Sequence, residues 1–181
     1  MPAPGPDRGR GTIDRPASLI SLETLFLDKA GDPCPVPHAS SLLTRLAEIS
    51  QPVILVGERL ADHRLPAAWP DRRAWLHHTL GGEAYTAASF EAPPAARLND
   101  DAALSDAAAC WAEVAARHGA RWLLSSDPHV VRPAQAAGLA VVAVGPRVPA
   151  PEVAAVVRPD REARDLRDAV NQLLLEATFA G

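Results

Sequence analysis

Two apolar runs separated by a polar turn and a helical segment stand out in RWLLSSDPHVVRPAQAAGLAVVAV, residues 121–144. The runs at 121–124 and 139–144 are almost uninterrupted, which is typical of strands buried in a parallel sheet. Residues 131–137 predict a short helix that tolerates Pro133 in its first turn and ends at Gly138. The stretch therefore predicts a strand, a helix and a second strand in the same sheet.

The same order of elements is predicted nearer the N-terminus. The run LISLETLFL at 19–27 contains a buried strand that we expect to end near Ser21. Apolar residues at helical spacing predict a helix over 39–50. VILV at 53–56 predicts the next strand, which Gly57 ends. These elements predict a right-handed βαβ unit.

The rest of the chain completes an alternation of strands and helices. We predict turns over 32–37, the end of the first helix at Pro52, a strand over 75–80 and irregular structure over 81–105. After these we predict a helix over 106–118 that Gly119 ends, a short strand over 154–157 and a closing helix over 162–178. Such alternation indicates an α/β fold with a parallel sheet covered by helices on both faces. Residues 1–17 are expected to be a disordered lead-in, and 18–181 a single domain.

Composition restricts the class of protein. The chain has 181 residues, 48% of them hydrophobic, and a net charge of −4. This acidic balance argues against a nucleic-acid-binding surface or a basic membrane patch, and no apolar run reaches the ~18 residues of a membrane span. Cys34 and Cys110 lie far apart, which favours a reducing, cytoplasmic location. Abundant Ala, Pro and Arg, with Lys29 as the sole lysine, suggest a bacterial, GC-rich genome.

Candidate functional residues follow the predicted strands. In parallel α/β sheets, ligands bind beyond the carboxyl ends of the strands. The residues in that position are 21–23, 57–58 and 125–127, which include Ser21, Glu23, Gly57, Glu58, Ser125, Ser126 and Asp127. The sequence therefore predicts a site at this edge of the sheet.

Two of these segments carry a family resemblance. SLETLFLD at 21–28 resembles the first motif of the haloacid dehalogenase superfamily, D-x-D-G-T-L-x-D. SSDPHVVRPAQAAGL at 125–139 resembles, without a gap, the fourth motif, which ends in a small-residue helix and Ala-Gly. The strand at 53–57 lies where the second motif lies. The resemblance spans nearly everything from Leu19 onward and implies a Rossmann-like fold, without room for a large cap domain.

The resemblance also implies a chemistry. Most members of the superfamily are Mg²⁺-dependent phosphatases in which one Asp attacks phosphorus and a second Asp transfers protons. A hydroxyl and a Lys or Arg hold the phosphoryl oxygens, and fourth-motif carboxylates hold Mg²⁺. By position, Ser21 replaces the Asp that attacks phosphorus, and Glu23 replaces the Asp that transfers protons. No base is evident beside Ser21.

The remaining motif positions are also altered. Gly57 stands where the phosphate-binding hydroxyl is expected, and Ser126 and Val130 stand at the metal positions. Arg97 is a candidate for the phosphate-binding cation, whereas Lys29 comes too early in the chain. The loss of several parts that act as a unit argues against strong catalysis.

Two functional hypotheses follow. The first is a non-catalytic protein of this fold, a pseudo-phosphatase without a cofactor, whose binding or regulatory role involves a protein partner or a small phosphorylated ligand. The second is a divergent hydrolase of a small phosphorylated metabolite that uses Ser21, Glu23 and Asp127, with Mg²⁺ bound if Glu23, Glu58 and Asp127 rebuild a cation site. These acids can equally be solvated loop residues or helix caps.

Other polar residues allow plainer interpretations. His129 lies at the entrance of the predicted site, where it could meet an anion or simply belong to a surface loop. His77 and His78, on a predicted strand, would point to opposite faces. Arg72 and Arg73 are interpreted as a solvated surface.

Overall fold

Parallel strands form the central layer of this computed structural model, which describes residues 15–29, 32–57, 69–91, 93, 101–145 and 157–179. The strands are β1 (Ala17–Ser21), β2 (Phe26–Lys29), β3 (Asp32–Pro35), β4 (Gln51–Val56), β5 (Thr86–Ser89), β6 (Ala120–Ser125), β7 (Ala140–Val144) and β8 (Arg161–Ala163). Six of them form one parallel sheet in the order β5-β4-β1-β6-β7-β8, and β2 and β3 form an antiparallel hairpin.

Helices cover both faces of this sheet. They are α1 (Ala39–Leu46), α2 (Trp69–Leu80), α3 (Asp101–His118), α4 (Val131–Ala136) and α5 (Leu166–Phe179). Side chains alternate along β1, so that Ile20 packs with α1, α2 and α5 while Leu19 packs with α3 and α4. The predicted fold class, a Rossmann-like parallel sheet with helices on both faces, is confirmed, and the described residues contain no large cap domain.

The predicted strand over 75–80 is wrong, because this segment belongs to helix α2. Leu76 and Leu80, four residues apart, are buried on one side of the helix. His77 and His78 are exposed on α2 and do not alternate across a sheet. The many polar residues of α2 hide its apolar stripe, which is why the sequence pattern is ambiguous.

The expected irregular segment over 81–105 contains regular structure at both ends. β5 pairs with β4 as an edge strand, and α3 begins at Asp101, five residues earlier than predicted. Likewise, residues 32–35 form β3 in the hairpin and not only turns. Helix α1 ends at Leu46, four residues before its predicted end, and Pro52 lies within β4.

The C-terminal part also differs from expectation. The closing helix begins at Leu166, because Arg161–Ala163 extends the sheet beside β7 as strand β8. The side chain of Asp165 accepts a hydrogen bond from the Asp168 amide at 2.8 Å and so caps α5. Of the strand predicted over 154–157, only Val157 is among the described residues, and it is not in a strand. None of the described helices has the length and apolar character needed to cross a membrane.

Candidate functional site

The carboxyl ends of β1, β4 and β6 meet at one edge of the sheet. β1 is the middle strand of the three, with Ser21 level with Leu55 of β4 and Ile20 level with Leu124 of β6. The residues that follow these strands therefore lie side by side, as the sequence predicts. We call the group formed by Ser21, Glu23, Ser125 and Asp127 the strand-end site.

A tight turn after β1 presents Glu23 at this edge. Residues Leu22–Thr24 form a single 3-10 turn, closed by a hydrogen bond from the Leu25 amide to the Leu22 carbonyl at 3.0 Å. The Thr24 hydroxyl donates to the Ser21 carbonyl at 2.8 Å. Leu22 and Thr24 are buried in this turn, while Glu23 is partly exposed. The turn therefore fixes the backbone and directs one carboxyl group toward the ends of the strands.

Ser125 connects the ends of β1 and β6. Its hydroxyl donates to Glu23 Oε1 at 2.9 Å and accepts a hydrogen bond from the Asp127 amide at 3.1 Å. The Ser125 side chain is only 2% exposed. Because the amide can only donate, the hydroxyl proton is directed at Glu23.

The pKa of the Glu23 carboxyl is raised above its ordinary value. The main cause is burial, which penalises the charged form, and the nearby charge of Asp127 adds to it. Hydrogen bonds from the Glu23 backbone amide and the Ser125 hydroxyl, and a weaker one from Ser21, offset part of the rise in pKa. The Ser21 hydroxyl is thus close enough to the Glu23 carboxyl to affect its pKa.

Asp127 caps the turn that leads out of β6. Its Oδ1 accepts a hydrogen bond from the His129 amide at 2.8 Å, at the start of the 3-10 turn Pro128–Val130. The His129 side chain is half-buried beside this cap. Val130 is 7% exposed and packs in the apolar cluster under α3 and α4. At the fourth-motif metal position, the side chain thus belongs to the core.

Gly57 follows β4 in a backbone that approaches its neighbour closely. A Cβ at this position would lie 2.8 Å from the Phe90 carbonyl oxygen. Phe90 is held there by a hydrogen bond from its amide to the Val56 carbonyl at 3.1 Å and by its ring against Trp111, with centroids 4.6 Å apart. The second-motif hydroxyl therefore has no space at this position unless the backbone moves.

Arg72 lies beside the end of β4, although the sequence pattern predicts it on a solvated surface. It is 7% exposed and donates from its guanidinium to the Gly57 carbonyl at 3.2 Å. Arg73, in contrast, is exposed. The available signal was the helical spacing of Arg72, Leu76 and Leu80, which places the arginine on the buried side of α2.

The described residues of the site do not fit a magnesium centre of the phosphatase type. They include no group of three His, Cys, Asp or Glu side chains placed to hold a metal ion. Glu23 and Asp127 each have one oxygen in a hydrogen bond, and Val130 has no ligand atom. Ser126 is exposed at the end of β6. The predicted site residues Glu58 and Arg97 lie outside the described residues.

Comparison with known proteins identifies the fold. No protein-family model matches the chain, and no curated protein matches it significantly by sequence. A D,D-heptose 1,7-bisphosphate phosphatase from B. bronchiseptica, solved with magnesium and phosphate, superposes with a TM-score of 0.64 at 14% identity, covering 89% of this chain and 99% of that one. The same enzyme from Burkholderia thailandensis gives a TM-score of 0.61 at 12% identity, with coverages of 88% and 99%.

A larger protein shares the same core. An L-2-haloacid dehalogenase superposes with a TM-score of 0.52 at 18% identity, covering 80% of this chain and 59% of the dehalogenase. At these identities the likeness concerns the fold and not the activity. The chain thus has the fold of the haloacid dehalogenase superfamily, as its motifs at 21–28 and 125–139 predict.

Proposed function

We propose that this protein is a non-catalytic member of its fold, a pseudo-phosphatase that uses the strand-end site for binding in a regulatory role. The observation that carries the proposal is the burial of Val130, which is 7% exposed at a position where a phosphatase needs a metal-binding carboxylate. Without the cation, the charge that develops on a transferring phosphoryl group has no metal to stabilise it.

The nucleophile position supports the same conclusion. A serine hydroxyl replaces a carboxylate at Ser21, and it must lose its proton before it can attack phosphorus. Glu23 is the carboxyl beside it, but the Ser125 hydroxyl already donates to Glu23 Oε1. The replacements at the nucleophile, hydroxyl and metal positions affect one mechanism together, and such parts do not fail additively.

The ligand class follows from what the edge of the sheet still offers. The strand-end site retains hydroxyl and carboxyl groups, and one heptose phosphatase of this fold was solved with phosphate and magnesium. We therefore favour a small phosphorylated ligand, with a protein partner as the other candidate and no cofactor. The described thiols of Cys34 and Cys110 are both free, which supports a reducing, cytoplasmic location.

One observation favours the alternative, a divergent hydrolase. The pKa of Glu23 is raised, and the carboxylate of Asp127 lies near it. Pairs of acids in different environments are typical of acid/base catalysis. In this reading the Ser21 oxygen forms a bond to phosphorus, Glu23 takes the hydroxyl proton, and the ester oxygen leaves with a proton returned by Glu23. Water then hydrolyses the phosphoserine.

A turnover assay tests the proposal. Purified protein is incubated with a panel of phosphate monoesters, with and without Mg²⁺, beside Asp127→Ala and Glu23→Ala variants. We expect phosphate release to be the same in the protein and in both variants. Mg²⁺-dependent turnover that is lost in the variants would establish the hydrolase instead.

A further inference from the structure

Helix α5 carries two stripes of side chains at helical spacing. The first stripe is buried against the sheet and consists of Leu166, Ala169, Val170 and Leu173. The same spacing recurs six residues later, about 120° around the helix axis, at Gln172, Leu175, Glu176 and Phe179. These four residues and Arg161 of β8 line an open groove of about 430 Å³, and we call the five residues the α5 patch.

The apolar side chains of the α5 patch face the solvent. Leu175 is 58% exposed and Phe179 is 84% exposed, and they lie one helical turn apart. Among the residues that the structure describes, Leu27 is the only other large hydrophobic side chain that is exposed, at 43%. Two neighbouring apolar side chains on the surface favour contact with another apolar surface.

Charged groups of both signs flank this apolar pair. The Glu176 carboxylate forms an ion pair with Arg161 at 2.8 Å and a second with Arg121, near the start of β6, at 3.3 Å. All three side chains remain partly exposed. The patch therefore presents apolar, acidic and basic groups together, and such a surface is complementary to a copy of itself that is turned about a two-fold axis.

The neighbouring edge of the sheet offers less to another chain. β8 is the last strand of the sheet, and an edge strand can pair with a strand of a second molecule. The side-chain amide of Gln172, however, donates to the Glu162 carbonyl at 2.9 Å and so engages a backbone acceptor in the middle of this three-residue strand. Association at this side of the molecule is therefore expected through the side chains of α5 and not through an added strand.

We propose that the α5 patch binds the α5 patch of a second copy of this chain, so that two copies form a homodimer with their last helices packed antiparallel. The two-fold axis brings Leu175 and Phe179 against the partner's Phe179 and Leu175. It also brings Arg161 near the partner's Glu176, and Glu176 near the partner's Arg161. Because the exposed stripe covers only two turns, the dimer is weak and depends on protein concentration.

The dimer lies away from the strand-end site. Arg121 is the second residue of β6 and Arg161 the first of β8, and both contact Glu176. The α5 patch is therefore at the amino ends of the parallel strands, at the edge opposite Glu23 and Ser125. Both strand-end sites stay open in the dimer, which is independent of the proposed function.

Sedimentation velocity of the full chain tests the dimer at concentrations from about 10 μM to about 1 mM, which span the affinities of small interfaces. The variants Phe179→Glu and Thr178→Glu each add one negative charge at adjacent exposed positions of α5, and only the first lies in the patch. We expect the unmodified chain to pass from monomer to dimer over this range. Phe179→Glu should raise the dissociation constant roughly tenfold or more, and Thr178→Glu by less than about twofold.

Charge reversal tests whether the partner is a second copy. Arg161→Glu makes the patch acidic and Glu176→Arg makes it basic, so each variant alone should repel its own copy and stay monomeric. An equimolar mixture of the two should dimerise, because the charges that meet across the two-fold axis then have opposite signs. The melting temperature of each variant shows whether it is folded, and partly exposed ion pairs of this kind contribute little to stability.

Each outcome supports or overturns the dimer. If the unmodified chain stays monomeric over the whole range, the dimer is overturned and the α5 patch is left to a different protein. Equal dissociation constants for Phe179→Glu and Thr178→Glu would overturn it as well, since the contact would then lie elsewhere on the molecule. Folded charge-reversed variants that stay monomeric when mixed would contradict the pairing of Arg161 with the partner's Glu176. If a charge-reversed variant unfolds, the comparison of Phe179→Glu with Thr178→Glu still decides.

Discussion

The ends of β4 and β6 lie on either side of β1, yet they are built in different ways. At the end of β6, Ser125, Asp127 and His129 bond to one another through contacts that span two residues. At the end of β4, Gly57 is contacted by Arg72, fifteen residues later, and by the backbone of Phe90. The end of β6 is a local turn that one hydrogen bond, from Ser125 to Glu23, joins to the turn after β1, whereas the end of β4 is contacted by a helix side chain and by the segment after β5. A substitution at the second end therefore disturbs more of the molecule.

The largest expected effect is at the end of β4. Gly57→Thr, which restores the hydroxyl of the family motif, would place a Cβ 2.8 Å from the Phe90 carbonyl. We expect the free energy of unfolding to fall by about 3 kcal/mol, because the obstacle is backbone that cannot rotate away. Chemical denaturation measures this.

Its matched control is Ser126→Thr, which places the same side chain at the exposed end of β6. This variant should stay within about 0.5 kcal/mol of the unmodified protein. If the two threonine variants are equally stable, the distinction between the two strand ends is lost.

A smaller effect is expected at the end of β6. Ser125→Ala removes the hydroxyl that donates a hydrogen bond to Glu23 and accepts one from the Asp127 amide. We expect a loss of about 2 kcal/mol, because two polar groups lose a partner in a largely buried place. The pKa of Glu23 should rise further, since the Ser125 hydroxyl lowers it. Denaturation and carbon-detected NMR titration of the Glu23 carboxyl test both expectations, and Ser126→Ala, which should change neither, is the control.

The cap on the turn after β6 should contribute less. Asp127→Ala leaves the His129 amide without its acceptor, and loss of such a cap costs about 1 kcal/mol. The melting temperature should fall only slightly, so that the variant remains folded in the turnover assay. A loss as large as that of Gly57→Thr would mean that the end of β6 is not a local structure.

The smallest effect concerns pH. The pKa of Glu23 is above its ordinary 4.5 in the folded protein, so the folded state holds this proton more tightly than the unfolded chain does. The resulting stabilisation is present below the unfolded pKa and is lost as pH rises through the folded pKa. Glu23→Gln keeps an acceptor for Ser125 but does not titrate. As pH rises through this window, the free energy of unfolding of the unmodified protein should therefore fall relative to that of Glu23→Gln. Parallel pH profiles of the two proteins would contradict the raised pKa of Glu23.

The contrast between the strand ends also explains what the sequence could predict. The apolar runs of β1, β4, β6 and β7 identified the fold, because strands buried on both faces need such runs. Ser125 and Asp127 could be placed because they follow a recognisable strand. Arg72 could not, because α2 has a weak apolar stripe and the contact with Gly57 depends on how that helix packs. Strand β8 was missed for a similar reason, since its three polar-flanked residues carry little strand signal.

The place of β1 in the sheet has a consequence for synthesis of the chain. β1 leaves the ribosome about a hundred residues before β6, whose first residue is Ala120, yet the two strands pair in the middle of the sheet. Until β6 has been made, Leu19 and Ile20 belong to an open β edge, which is prone to aggregation. Pairing across about a hundred residues also slows folding. Nascent chains shorter than residue 120 should therefore depend on chaperones that shield apolar strands, and that dependence should end once β6 has emerged.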